Sequence, residues 1–167
     1  DSAGNEVSNN VSGGVLLRDA PENVIGGTAD GSRNVISGNG GNGITVDGTS
    51  AMRNRIQGNY IGTSANGTLD VGNRNRGIFI NFASGNIIGG TDEGSHNIVS
   101  SNGGTGIVID GSTAEDNRVQ GNYIGTDHTG TSDLGNAEDG ILIIRAPRNI
   151  IGGRDPAERN IISGNRR

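Results

Sequence analysis

The sequence contains no cysteine, no tryptophan and no lysine, all 13 basic residues being arginine. Without lysine, Schiff-base and lysine-nucleophile chemistries are excluded. Without cysteine there are no disulfides and no thiolate metal sites, although the compartment stays open because many secreted proteins lack cysteine altogether. Aromatic residues are limited to Phe79, Phe82, Tyr60 and Tyr123, and hydrophobic residues make up 30%, thin for an ordinary globular core. No stretch approaches the roughly 18 consecutive apolar residues of a membrane-crossing helix, and no signal peptide is recognisable. A net charge of -5 with a pI near 4.9 speaks against an electrostatic hold on nucleic acid.

What is abundant is glycine, 32 residues, and asparagine, 22, together about a third of the chain. They occur in a strict repeat. The segment GITVDGTSAMRNRIQGNYIGT (43–63) returns 63 residues later as GIVIDGSTAEDNRVQGNYIGT (106–126), identical at 14 of 21 positions. The same step relates GVLLRDAPENVIGG, GIFINFASGNIIGG and GILIIRAPRNIIGG, and likewise NVISGN, NIVSSN and NIISGN. A period held without insertion or deletion means that the units stack, because one extra residue would put every later unit out of line. Disorder is excluded, since the apolar residues are mostly Ile, Val and Leu in short runs at fixed spacing. Short strands separated by turns remain.

Gly-led strands begin at residues 14, 43, 77, 106 and 140, at alternating steps of 29 and 34, so each 63-residue unit is two coils. In every coil a Gly-led strand is followed by two Asn-x-(Ile/Val) segments. Their asparagines form two columns: Asn23, Asn54, Asn86, Asn117 and Asn149, then Asn34, Asn59, Asn97, Asn122 and Asn160. Period-two alternation turns Val15, Leu17, Ile44, Val46, Ile78, Ile80, Ile107, Ile109, Ile141 and Ile143 to one side of a first sheet. Two residues after each asparagine come the inward residues of two further sheets, Ile25, Ile56, Ile88, Val119 and Ile151, then Ile36, Ile61, Val99, Ile124 and Ile162. Asparagine tolerates left-handed turns and its amide can bond corner backbone groups, so both columns are expected to be structural ladders. The expectation is an all-β, right-handed parallel β-helix of about five coils in one domain over 1–167. A partial coil at 1–13 precedes coils at 14–42, 43–76, 77–105, 106–139 and 140–167.

With its IGG, NVISGN, GI and GNYIGT segments, the stretch 14–165 resembles the right-handed parallel β-helix repeat family, the pectate-lyase-like superfamily. The likeness is greatest to the Gly/Asn-rich repeats of large secreted bacterial proteins. The resemblance implies the fold and a secreted or cell-surface bacterial setting. It leaves activity open, because that superfamily mixes lyases, hydrolases, epimerases, adhesins and passive stalks.

Function is expected in the loops. The spacing marks long excursions at 64–76 and 127–139, and shorter ones at 28–33, 91–96 and 154–159. In the second long excursion Asp127 and Asp133 are candidate oxygen ligands for Ca2+. Other motifs fail. Gly38, Gly40 and Gly43 match G-x-G-x-x-G but link strands rather than opening a helix. GGNGITVDG and GGTGIVIDG lack the aspartate of calcium-binding nonapeptides. Asn10-Val11-Ser12 and Asn66-Gly67-Thr68 match the glycosylation acceptor, as a chain of this composition does by chance. His96 and His128 lie in different excursions without partners at metal-ligand spacing, and His96 reads as a solvated turn cation.

One constellation bears on catalysis. The outward residues ending the first strands are Arg18, Asp47, Asn81, Asp110 and Ile144, with Arg145 beside the last. Asp47 and Asp110 lie two coil steps apart, roughly 9.6 Å at about 4.8 Å per step, near the upper limit of inverting glycosidase carboxylate pairs. The adjacent aspartates and Gly-His-Gly element of the hydrolase branch are missing, and each aspartate precedes glycine, a turn signal. The leading expectation is therefore a non-catalytic extracellular repeat module: a stalk, adhesin or carbohydrate-contacting segment. Its expected partners are polysaccharide or cell-surface glycan, with no nucleic acid and no membrane. The alternative is a fragment of a polysaccharide lyase, hydrolase or epimerase, with Asp47, Asp110, Arg18 and Arg145 as its candidate catalytic residues. Because the repeat runs at full strength into Ile161 and Ile162, the chain is also expected to belong to something longer or to associate end to end.

Overall fold

The computed structural model describes residues 9–167. The first coil carries β1 (Val15–Arg18), β2 (Val24–Gly26) and β3 (Val35–Ile36), and the second β4 (Ile44–Asp47), β5 (Arg55–Gln57) and β6 (Tyr60–Ile61). The third carries β7 (Ile78–Asn81), β8 (Ile87–Gly89) and β9 (Ile98–Val99). The fourth carries β10 (Ile107–Asp110), β11 (Arg118–Gln120) and β12 (Tyr123–Ile124), and the fifth β13 (Ile141–Ile144), β14 (Ile150–Ile151) and β15 (Ile161–Ile162). One 3-10 turn at Pro156–Glu158 is the sole helical element among the described residues. No helix there is long and apolar enough to cross a membrane.

Corresponding strands of successive coils pair in parallel, giving three five-stranded sheets ordered β1-β4-β7-β10-β13, β2-β5-β8-β11-β14 and β3-β6-β9-β12-β15. The expected parallel β-solenoid forms, its five coils joined by four coil-to-coil steps. Register follows the sequence columns: Val15, Ile44, Ile78, Ile107 and Ile141 stand in one row. Ile25, Ile56, Ile88, Val119 and Ile151 stand in another. In the central coils these aliphatic side chains are fully buried, each contributing about 1.5–3 kcal/mol by leaving water. A column of alanines, of which Ala51, Ala83 and Ala114 are fully buried, closes the interior where the chain turns between the first and second sheets.

Three corners join the sheets, and each carries an asparagine ladder. At the first corner Nδ2 of each asparagine donates to Oδ1 of the asparagine one coil on, from Asn23 through Asn54, Asn86 and Asn117 to Asn149 at 3.0–3.1 Å. The second runs from Asn34 through Asn59, Asn97 and Asn122 to Asn160 at 2.9–3.1 Å. A third, outside the two columns the sequence signature marks, runs from Asn10 through Asn39, Asn73, Asn102 and Asn136 to Asn165 at 2.8–2.9 Å. In all three the backbone N–H of the donor residue also reaches that oxygen, as Asn86 does to Asn117 at 2.8 Å. In most of them the remaining Nδ2 proton goes to a backbone carbonyl, such as that of Ile56 for Asn97 at 2.8 Å. Corners in a solenoid expose backbone polar groups that no sheet can pair, and the ladders satisfy them. Among the described residues no buried side-chain nitrogen or oxygen is left without a partner.

The long excursions are shorter than their spacing implies. Antiparallel bridges between Thr63 and Asp70, and between Thr126 and Asp133, close each loop at its base. The chain returns to the wall at Val71 and Leu134, whose N–H groups donate to Gly62 and Gly125 at 3.1 and 3.0 Å. Residues 71–76 and 134–139 are therefore part of the coil, where they supply Asn73 and Asn136 to the third ladder.

Candidate functional site

The column Arg18, Asp47, Asn81, Asp110 and Ile144 lies in register along the outer face of the first sheet. Its carboxylates are engaged by neighbouring coils. Asp47 accepts Arg18 Nε at 3.4 Å and Asn81 Nδ2 at 2.8 Å, and Asp110 accepts Arg145 Nη2 at 3.0 Å. The arginines are largely exposed, so each ion pair is worth roughly 0–1 kcal/mol and fixes orientation more than stability. Asn81 stands between the two aspartates. The four candidate catalytic residues thus resolve into two separate ion pairs, Arg18 with Asp47 and Arg145 with Asp110.

The next residue in each coil turns the first corner with positive φ: Asp19 at 49°, Gly48 at 99°, Phe82 at 55°, Gly111 at 109° and Arg145 at 53°. Glycine adopts this conformation freely and aspartate tolerates it, whereas a bulky side chain pays on the order of 1–2 kcal/mol. Phe82 and Arg145 are the bulky residues of this column, and Phe82 is 43% exposed, so core burial does not explain it. Its ring lies across Gly111: a Cβ there would approach Phe82 Cδ1 to 2.5 Å. Thr113 Oγ1 donates to the Phe82 carbonyl at 2.7 Å and holds the turn.

Three residues earlier Phe79 also faces outward, half-buried, with the Arg76 guanidinium 4.7 Å from its ring centroid. Phe79 belongs to an outward row with Leu16, Thr45, Val108 and Leu142. Both phenylalanines of the chain thus sit on the outer face of the middle coil, on either side of Asn81. By the 63-residue step Phe79 replaces Leu16 and Leu142, Asn81 replaces Arg18 and Ile144, and Phe82 replaces Asp19 and Arg145. The repeat is broken at this coil. Periodicity does not single out Phe82, but its residue type does: a large aromatic at a turn column otherwise filled by Asp, Gly, Gly and Arg.

The excursion residues are used differently. Asp127 caps its own loop, accepting Thr129 Oγ1 at 2.8 Å and the N–H groups of Thr129, Thr131 and Ser132 at 3.1–3.2 Å. The Thr129 hydroxyl foremost, with these N–H groups and against the opposing effect of burial, lowers its carboxyl from 3.8 to about 2. Asp133 accepts Gly135 N–H at 2.9 Å. Each of these two carboxylates serves its own turn, and no group of three metal-ligating side chains occurs among the described residues. His128 is exposed, and its backbone N–H reaches Gly67 O at 3.2 Å, tying the two long excursions together.

The shorter excursions stack along the corner between the second and third sheets. Arg33 lies 4.0 Å from the centroid of Tyr60, and His96 meets Tyr123 edge-on at 5.5 Å. A shallow groove of about 320 Å³ runs past Asp92, Glu93, His96, Tyr123 and Arg159. Its charges are of both signs, and the Tyr60 ring is buried beneath the turn. Beside it the Glu158 carboxyl is held below its usual range, first by the Asp155 N–H.

In comparisons with known proteins, no family model, no curated protein and no solved structure matches this chain.

Proposed function

We propose that the chain is a non-catalytic repeat module of a secreted or cell-surface bacterial protein, a rigid rod that carries a carbohydrate-contacting surface. The observation behind this reading is the pairing in the outward column. Asp47 is occupied by Arg18 and Asn81, and Asp110 by Arg145. A glycosidase acid must give up a proton and its partner must face water or substrate; here both carboxylates face arginines of adjacent coils. Lyase chemistry would need a free basic group beside a cluster of carboxylates, whereas Arg18 and Arg145 are committed to the only two in the column. The ladders favour the rod, since each coil is bonded to the next at three corners as well as through three sheets.

The test is an activity screen on polygalacturonate, alginate and neutral glucans, following reducing ends and unsaturated products, for wild type and the Asp47→Asn/Asp110→Asn double variant. The proposal expects no turnover by either protein. Turnover by wild type that disappears in the double variant would establish the enzyme-fragment reading instead.

A further inference from the structure

The first and third coils are each completed by the coil that follows. The ladder N–H groups of Asn86, Asn97 and Asn102 donate to Asn117, Asn122 and Asn136 of the fourth coil at 2.8–3.2 Å. Arg33 and His96 each rest on a tyrosine one coil on, Tyr60 and Tyr123. The fifth coil repeats the pattern of the first and third but has none of this on its far side among the described residues. Strands β13, β14 and β15 are the edges of their sheets, the inward Ile143, Ile151 and Ile162 are exposed, and Arg159, third in the row of Arg33 and His96, stacks on no ring. We infer that this far face is an interaction surface for an acidic solenoid coil supplied from outside these 167 residues. Such a coil carries a Gly-led first strand, an asparagine at each corner, a tyrosine opposite Arg159, and carboxylates opposite Arg145 and Arg148.

Open strand edges accept any strand of matching register, so charge decides which coil fits. Glu22, Arg53, Gly85, Asp116 and Arg148 hold one corner position in successive coils, all with φ between 55° and 65°. Glu22 pairs with Arg53 at 2.7 Å and Arg148 with Asp116 at 3.1 Å. Beside them Arg18 pairs with Asp47, and Arg145 with Asp110. Every ion pair among the described residues joins neighbouring coils, and both columns reach the fifth coil as arginine. That coil, 140–167, has six arginines and two carboxylates, a net charge of +4. A basic coil laid on it is repelled and an acidic one attracted. The chain itself contains a matched pair of probes. Segments 106–139 and 43–76 share the leading glycine, the corner asparagines and the tyrosine. The first has seven acidic residues and one arginine, net -6, and the second two acidic residues and four arginines, net +2. Asp116 of the one stands where Arg53 stands in the other.

The test titrates synthetic peptides 106–139 and 43–76 into the full chain at low salt. A second arm joins segment 105–139 or 42–76 directly after Arg167, which sets the new leading glycine 29 residues beyond Gly140, the spacing from Gly14 to Gly43 and from Gly77 to Gly106. Joining removes much of the ordering cost that a free peptide bears. The acidic peptide is expected to bind about tenfold or more tightly than the basic one, with the difference shrinking as salt is added. The joined acidic coil is expected to slow exchange of the Asn149, Asn160 and Asn165 N–H groups more than the joined basic coil. Arg148 is exposed, and aspartate tolerates its positive φ, so Arg148→Asp retains the fold and removes the preference in both arms. Equal binding and protection by the two segments, a preference for the basic one, or a preference unchanged in Arg148→Asp would each overturn the inference. If neither free peptide binds, the joined coils decide by the same criteria.

Discussion

The backbone N–H and the side-chain Nδ2 of Asn86 both donate to the same oxygen, Oδ1 of Asn117, at 2.8 and 3.0 Å. Asn86 in turn offers its own Oδ1 to the N–H and Nδ2 of Asn54 at 2.9 and 3.0 Å. Every interior asparagine of the ladders is thus an acceptor for the coil before and a donor to the coil after. Removing one strands polar groups in two neighbouring coils, all fully buried. Asn86→Ala is expected to lower stability by about 1–3 kcal/mol, read as a fall in thermal or denaturant midpoint. An unchanged midpoint would mean that the ladder adds nothing to the sheets.

Asn102→Ala at the third corner is expected to have an effect of the same size. Asn102 takes the N–H and Nδ2 of Asn73 and donates to Asn136 at 2.9 Å. A much smaller effect than that of Asn86→Ala would show the third corner to be dispensable.

These two asparagines also mark where the sequence is legible and where it is not. Asn86 is followed by an inward isoleucine two residues on, so the Asn-x-Ile signature finds it and the sheet after it. Asn102 is followed by Gly103 and Gly104 and then by a new first strand, so no inward residue tags it. Asn73 and Asn136 are further hidden, because they lie in segments whose length reads as excursion. A signal was present all the same: Asn39, Asn73, Asn102, Asn136 and Asn165 recur at 34, 29, 34 and 29 residues, each preceded by Gly or Ser. Inward rows, register and coil lengths are legible because burial imposes period two on strands and stacking forbids insertions. The candidate site is less legible. The outward column emerges from alternation, but the Arg18–Asp47 and Arg145–Asp110 pairings depend on side-chain reach. The positive φ of Phe82 becomes visible only in the fold.

Acid should loosen one loop before the body. The folded-state carboxyl of Asp127 lies below its ordinary value of 3.8, at about 2. Its contribution to stability is therefore fully present above about pH 4 and is lost as pH falls through about 2. Amide exchange at Thr129, Thr131 and Ser132 is expected to accelerate across that window in wild type. Asp127→Asn should show no such pH step. A step that persists in the variant would assign the effect to another group.

Two glycines separate steric need from conformational need. Gly31 and Gly58 both have positive φ, at 81° and 70°. A Cβ on Gly31 meets nothing within 4 Å, whereas one on Gly58 runs into the carbonyl oxygens of Gly27 and Gly94. Gly31→Ala is expected to cost about 1–2 kcal/mol, the left-handed penalty alone. Gly58→Ala adds a backbone collision at the corner and should cost clearly more. Equal effects in denaturant titrations would show that the coils can part around the extra methyl.

The most direct test of the central claim, a rod tied coil to coil at three corners, is hydrogen exchange of the asparagine side-chain amides followed by NMR. The account predicts that the Nδ2 protons of Asn54, Asn86 and Asn117, of Asn59, Asn97 and Asn122, and of Asn39, Asn73, Asn102 and Asn136 all exchange far more slowly than those of exposed Asn66. Members of the third group should be as protected as those of the other two. Free-amide exchange rates at any one corner of the central coils would contradict it.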